Sequence, residues 1–77
     1  MVDIEELARR EGESLARAIL RLKQARGDPV PENWPGSMNA AYLVASSLEV
    51  DPSELDQLAR RIDEYGSKAW GIITHPS

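Results

Sequence analysis

Val50-Asp51-Pro52-Ser53-Glu54-Leu55 contains the main elements of a helix start. Asp51 is an N-cap residue, Pro52 suits the first helical position, and Glu54 stands three residues after Asp51, as a capping box requires. Val50 and Leu55 have the spacing of a hydrophobic staple. Just upstream lies another apolar segment, Leu43-Val44-Ala45 to Leu48. Two helices are therefore joined by a turn of a few residues, which brings them into contact and predicts an all-α fold. Outward from this junction, the sequence predicts a small three-helix bundle with a possible fourth element, forming a single domain over residues 1–77.

The second helix is expected from Met38 to Leu48, with Ser37 as N-cap after Pro35-Gly36. Met38, Ala41, Ala45 and Leu48 share one stripe, and Leu43 and Val44 widen it. The many small side chains make this helix slim. The third helix is expected over 52–65, with Leu55, Leu58, Ala59, Ile62 and Tyr65 inward and Gly66 as its C-cap. The tail, 67–77, is open between two readings. Ser67-Lys68-Ala69-Trp70 suits a short fourth helix, whereas Trp70-Gly71-Ile72-Ile73-Thr74 suits extended chain. Its apolar content predicts that part of it docks on the bundle or on a partner.

The first helix is expected over 4–26. Asp3 and Glu6 form a capping box, and Val2 and Leu7 have staple spacing. Acids cluster early and bases late, which suits the helix dipole. The apolar stripe of Ile4, Leu7, Ala8, Leu15, Ile19 and Leu22 is interrupted by Glu11 and Gly12. The interruption predicts a weak point or bend dividing two shorter helices. The alternative is a close approach of another backbone to Gly12. Gly27 is a natural C-cap, and Asp28-Pro29 stops the helix. Residues 28–36 form a connection stiffened by three prolines. Trp34 is expected to plug this loop onto the helices, with exposure as a partner anchor the alternative.

Seventy-seven residues make one small domain with a modest core, and the absence of Cys leaves helix packing or a partner to hold it. The N-terminus lacks the basic start and apolar run of a signal peptide, and no apolar stretch has membrane-spanning length. A cytoplasmic protein is expected, without a membrane role. Charge is uneven. Residues 1–27 hold six bases and five acids, net +1; residues 28–77 hold three bases and eight acids, net −5, which together give the −4 of the chain. An acidic half repels phosphate and disfavours nucleic acid as partner.

The sequence predicts no catalysis. His75 is the one histidine and precedes a proline in the tail. With no Cys and no second His, a transition-metal site is not expected. Glu5 and Glu6, or Asp63 and Glu64, are adjacent in sequence and so point in different directions on a helix. No Gly-rich phosphate loop is present, no nucleophile has a base partner, and no cofactor is expected. The leading expectation is a non-enzymatic interaction module, a small regulator or inhibitor that binds a protein partner, with a basic surface as the charge complement. Its contact residues are expected to be Asp56, Asp63 and Glu64, with Trp34 or Trp70 as apolar anchor. Self-association through the first helix, giving a homodimer, is a further expectation.

Two resemblances supply the alternatives. The segment Leu43 to Leu58 resembles the helix-turn-helix unit of repressor-type DNA-binding domains. Ala45, Leu48, Val50, Leu55 and Leu58 fit that pattern, while Glu49 stands where the motif has Gly. The resemblance implies a DNA-binding transcriptional regulator in which Ser53, Glu54, Gln57 and Arg61 face the major groove and Arg60 lies near phosphate. A second resemblance is to acyl carrier proteins, small acidic helical proteins whose cofactor sits on a Ser opening the second helix. Ser37-Met38-Asn39 stands at that place, followed by Leu43-Val44, with Gly36 where the family has Asp. It implies Ser37 as the attachment site.

Overall fold

A computed structural model describes residues 3–75. The chain is all-α. Helix α1 spans Ile4–Arg26, α2 spans Met38–Ser46, and α3 spans Leu55–Thr74 after a single 3-10 turn at Pro52–Glu54.

Both ends of α1 follow from local chemistry. The Asp3 carboxylate accepts the amides of Glu5 at 3.0 Å and Glu6 at 3.4 Å. Glu6 turns outward to Arg9, 2.6 Å away, so its carboxylate pairs along the helix. Val2, the other half of the expected staple, lies outside the described residues. At the far end Gly27 adopts φ 72°, a left-handed conformation that costs glycine little. Its amide donates to Gln24 and that of Asp28 to Lys23, which is a Schellman closure.

Gly12 does not divide α1, which is continuous through it. It is the point where α3 comes closest. A Cβ on Gly12 would lie 2.7 Å from the Ile62 carbonyl oxygen, 2.7 Å from Tyr65 Cβ and 2.8 Å from the Gly66 nitrogen. The close-approach alternative therefore holds, and the expected bend is corrected.

Ser37 caps α2 by accepting the Ala40 amide at 3.2 Å. The helix ends two residues before the expected Leu48. The amides of Ser47 and Leu48 turn to the carbonyls of Val44 and Ala45, and the Ser47 hydroxyl also donates to Val44. Such tightening is common in a last turn. Asp51 then caps the next element as expected, taking the Ser53 amide at 3.1 Å and hydroxyl at 3.0 Å. Those two donors hold its carboxyl below the usual range.

The larger correction concerns α3. Gly66 is not a C-cap, and the tail is neither strand nor separate helix; α3 runs on to Thr74. Gly27 is the one described glycine with positive φ, so Gly66 sits in ordinary helical geometry. It is buried because a Cβ there would meet the Trp34 ring at 2.7 Å. Leu58, Ile62, Gly66, Ala69 and Ile73 continue one stripe at spacings of four and three.

The pairings across the bundle give its topology. Glu5 meets Arg61, Gly12 meets residues 62–66, and Ala16 packs with Ala69 and Trp70. Hence α1 and α3 run parallel, and the chain between them must return the full length. A 23-residue helix is about 34 Å long, and the nine residues of α2 cover only about 13 Å. The proline-rich segment, irregular with a bend at Glu32 and Asn33, spans the remainder and lies against Asp63 and Trp70 of α3. Two buried clusters result. Ala8, Ala41, Ala45, Leu58, Ala59 and Ile62 join all three helices at one end. Ala16, Ala69 and Trp70, with Ile19, Leu20, Trp34 and Ile73 against them, fill the other.

Candidate partner-binding groove

Asp63 and Tyr65, like Trp70 and Ile72, are two residues apart on α3, which places the members of each pair on nearly opposite faces. The Asp63–Trp70 face lies under the proline-rich segment. Trp34 donates its indole N–H to Asp63 at 2.9 Å and stands edge-on to Trp70, with ring centroids 5.7 Å apart at 61°. Trp70 is 1 % exposed and donates its own indole N–H to the Pro31 carbonyl at 3.1 Å. Both indoles are thus packed and satisfied, as buried tryptophan requires. Trp34 is the expected plug. Trp70 is a core residue, which corrects its expected role as a surface anchor.

The expected acidic contact residues also have partners within the chain, although Asp56 and Glu64 stay exposed. Asp63 holds Trp34. Asp56 accepts the Tyr42 hydroxyl and pairs with Arg60 at 3.1 Å, while Glu64 pairs with Arg61. The Asp56 hydrogen bond pushes the Tyr42 phenol up from its ordinary value. Of the residues expected to face DNA, Ser53, Glu54, Gln57 and Arg60 are exposed. Arg61 instead bridges α3 to α1, meeting Glu5 at 3.0 Å, with the Tyr65 hydroxyl also donating to Glu5 at 3.1 Å. The Arg61 hydrogen bond, helped by Tyr65, holds the Glu5 carboxyl below its ordinary value. Ser37 is an exposed cap, and His75 is exposed with Nδ1 3.0 Å from the Thr74 hydroxyl.

The opposite side of the seam has no such cover. Beyond the Glu5–Arg61–Tyr65 clasp, α1 and α3 border a groove of about 270 Å³. Tyr65, Ala69, Ile72 and Ile73 line it from α3, with Lys68; Arg9, Glu13 and Arg17 line it from α1. Ile72 is 72 % exposed and is among the most exposed large apolar residues described, with Leu43 of α2 at 74 %. Leu43 stands alone on the outer face of a slim helix, where an exposed leucine is ordinary. Ile72 instead borders a concave apolar surface. The groove residues do not stand out in the sequence, because the tail has no decided structure there. With α3 extended to Thr74, adjacent Ile72 and Ile73 lie about 100° apart, so Ile73 turns toward the core and is partly buried while Ile72 stays exposed.

Glu13 is shared by Arg9 and Arg17, each 3.8 Å away, and Arg9 also has Glu6. Lys68 lies over the Tyr65 ring at 5.5 Å. The groove offers an apolar floor and a charged rim, which suits binding. Among the described residues, no group of three or more His, Cys, Asp or Glu side chains is placed to hold a metal ion, and no helix is long and apolar enough to cross a membrane. Comparisons with known protein families, with curated proteins and with solved structures find no match for the chain.

Proposed function

We propose that this chain is a non-enzymatic interaction module, a small cytoplasmic regulator or inhibitor that acts by seating part of a protein partner in the α1–α3 groove. One observation carries this reading. A chain with a small, alanine-rich core leaves Ile72 exposed beside an apolar hollow while the other side of the same seam is fully packed. Burying such a side chain against a partner is favourable by about 1.5–3 kcal/mol before the costs of association.

The test is site-specific photo-cross-linking in the native host. A cross-linking side chain at Ile72 should yield a discrete protein adduct that the same group at Glu49, far along the chain, does not give. Adducts of equal pattern at both positions would sink the groove as the docking surface. The alternatives make different predictions. A DNA-binding regulator is retained on duplex DNA in a salt-sensitive way that is lost on changing Gln57 and Arg61. A carrier gains a phosphopantetheine mass on Ser37 after treatment with a transferase.

A further inference from the structure

The charge around the groove narrows the choice of partner. Resting on the docking reading of this groove, we infer that it takes an acidic amphipathic helix of a partner protein, about two turns in length. The apolar floor runs from Tyr65 to Ile73, and the facing stretch of α1 from Arg9 to Arg17. Eight residues of helix rise about 12 Å, which matches two turns of a bound helix presenting apolar residues at i, i+4 and i+7.

Charge sets the flanks of that helix. Arg17 borders the groove and also belongs to a line of exposed arginines, Arg10, Arg17 and Arg21, spaced i, i+7, i+11 on α1. Among the described residues, neither Arg10, Arg21 nor Lys68 has a carboxylate within 4.0 Å, and Arg17 has only the shared Glu13. The groove is therefore flanked by an excess of positive charge, only partly offset by Glu13 on α1 and without a paired carboxylate at Lys68 on α3, although the chain as a whole is −4. The acids from which a basic partner was expected each have a partner within the chain: Asp63 holds Trp34, and the exposed Glu64 and Asp56 pair on the surface with Arg61 and with Tyr42 and Arg60. A second copy related by a two-fold axis would set this positively rimmed face against the same face, and like charges facing across an interface are penalised.

The probes are two synthetic helical peptides with leucines at i, i+4 and i+7. One carries glutamates on its flanks, and the other has lysine at each of those positions. Binding is followed by amide shift changes in the whole chain. The glutamate peptide should shift residues 9–21 and 65–73, bind about tenfold or more tighter than the lysine peptide, and weaken several-fold as salt rises. Arg17→Glu combined with Lys68→Glu should reverse the preference. Both side chains are exposed, so the variant should keep the helical circular dichroism of the parent. Ile72→Ser should weaken both peptides alike.

Equal affinity for the two peptides at these residues would overturn the acidic-helix assignment and leave the docking reading standing. Shifts confined to other residues, or a concentration-dependent dimer abolished by Ile72→Ser, would overturn it in favour of another site or of self-association. If neither peptide shifts the groove, the assignment fails, and the cross-linking at Ile72 separately decides whether the docking reading fails with it.

Discussion

The two sides of the α1–α3 seam are made by the same helices and finished differently. On one side the proline-rich segment lays Trp34 over Gly66 and against Trp70, and both indole N–H groups find oxygens. On the other, Tyr65 and Ile72 border a hollow rimmed by Arg9, Arg17 and Lys68. The helices themselves contribute to the difference, since α3 supplies apolar residues to both faces while α1 lines the open one with Arg9, Glu13 and Arg17. It lies also in which stretch of chain is available to cover them. The return path from α1 to α3 is used up on one side, and the other is left uncovered.

Changing each side in turn should break or sharpen that contrast. The largest effect is expected from Trp70→Ala, which empties the centre of the covered side and should cost about 3–5 kcal/mol in urea unfolding. In so small a domain that leaves little folded protein. Gly12→Ala acts on the seam itself. Its methyl would press on the Ile62 carbonyl and the Gly66 nitrogen, both backbone, so the helices must separate. We expect a loss of about 2 kcal/mol despite the better helix propensity of alanine. Trp34→Phe keeps a ring over Gly66 and removes the hydrogen bond to Asp63. About 1.5 kcal/mol should be lost, and the same change in an Asp63→Asn background should cost less. Ile72→Ser, on the open side, should move unfolding by no more than about 0.5 kcal/mol. A large loss there would mean that Ile72 supports the fold, and the contrast between the sides would disappear.

The smallest effect concerns the clasp that closes one end of the open side. The Glu5 carboxyl is lowered in the folded state, so its contribution is present above the ordinary glutamate value and is lost as pH falls through the lowered one. A stability difference between the parent and Glu5→Gln should therefore be measurable near neutrality and vanish in acid. A difference that stays constant with pH would show that the clasp works through packing of Tyr65 and not through charge.

The parts of this fold legible in the sequence are those governed by local chemistry. Asp3, Gly27, Ser37 and Asp51 punctuate helices through their own backbone or side-chain hydrogen bonds, and the sequence places each of them correctly. Gly66 misleads because its local signal, a glycine after an apolar stripe, is that of a C-cap. Its actual reason is the Trp34 ring arriving from 32 positions earlier in the chain. Gly12 and Gly66 are neighbours across the seam, but only the fold shows that they belong together. A helix stopped at Gly66 hides the groove, since half its lining comes from the tail beyond it. Trp70 reads as a surface anchor for the same reason: without helix through 66 there is no inner face for it to occupy.

Parallel packing of the first and last helices bears on how the chain acquires its structure. The contacts that close the molecule join Gly12 to Ile62 and Glu5 to Arg61, fifty or more positions apart, whereas most small helical bundles are dominated by neighbours. Closing such distant pairs costs loop entropy before they stabilise anything. Folding should be slower than for an up-and-down bundle of this size, and on the ribosome α1 must wait, unpaired along its inner stripe, until nearly all of α3 has been synthesised.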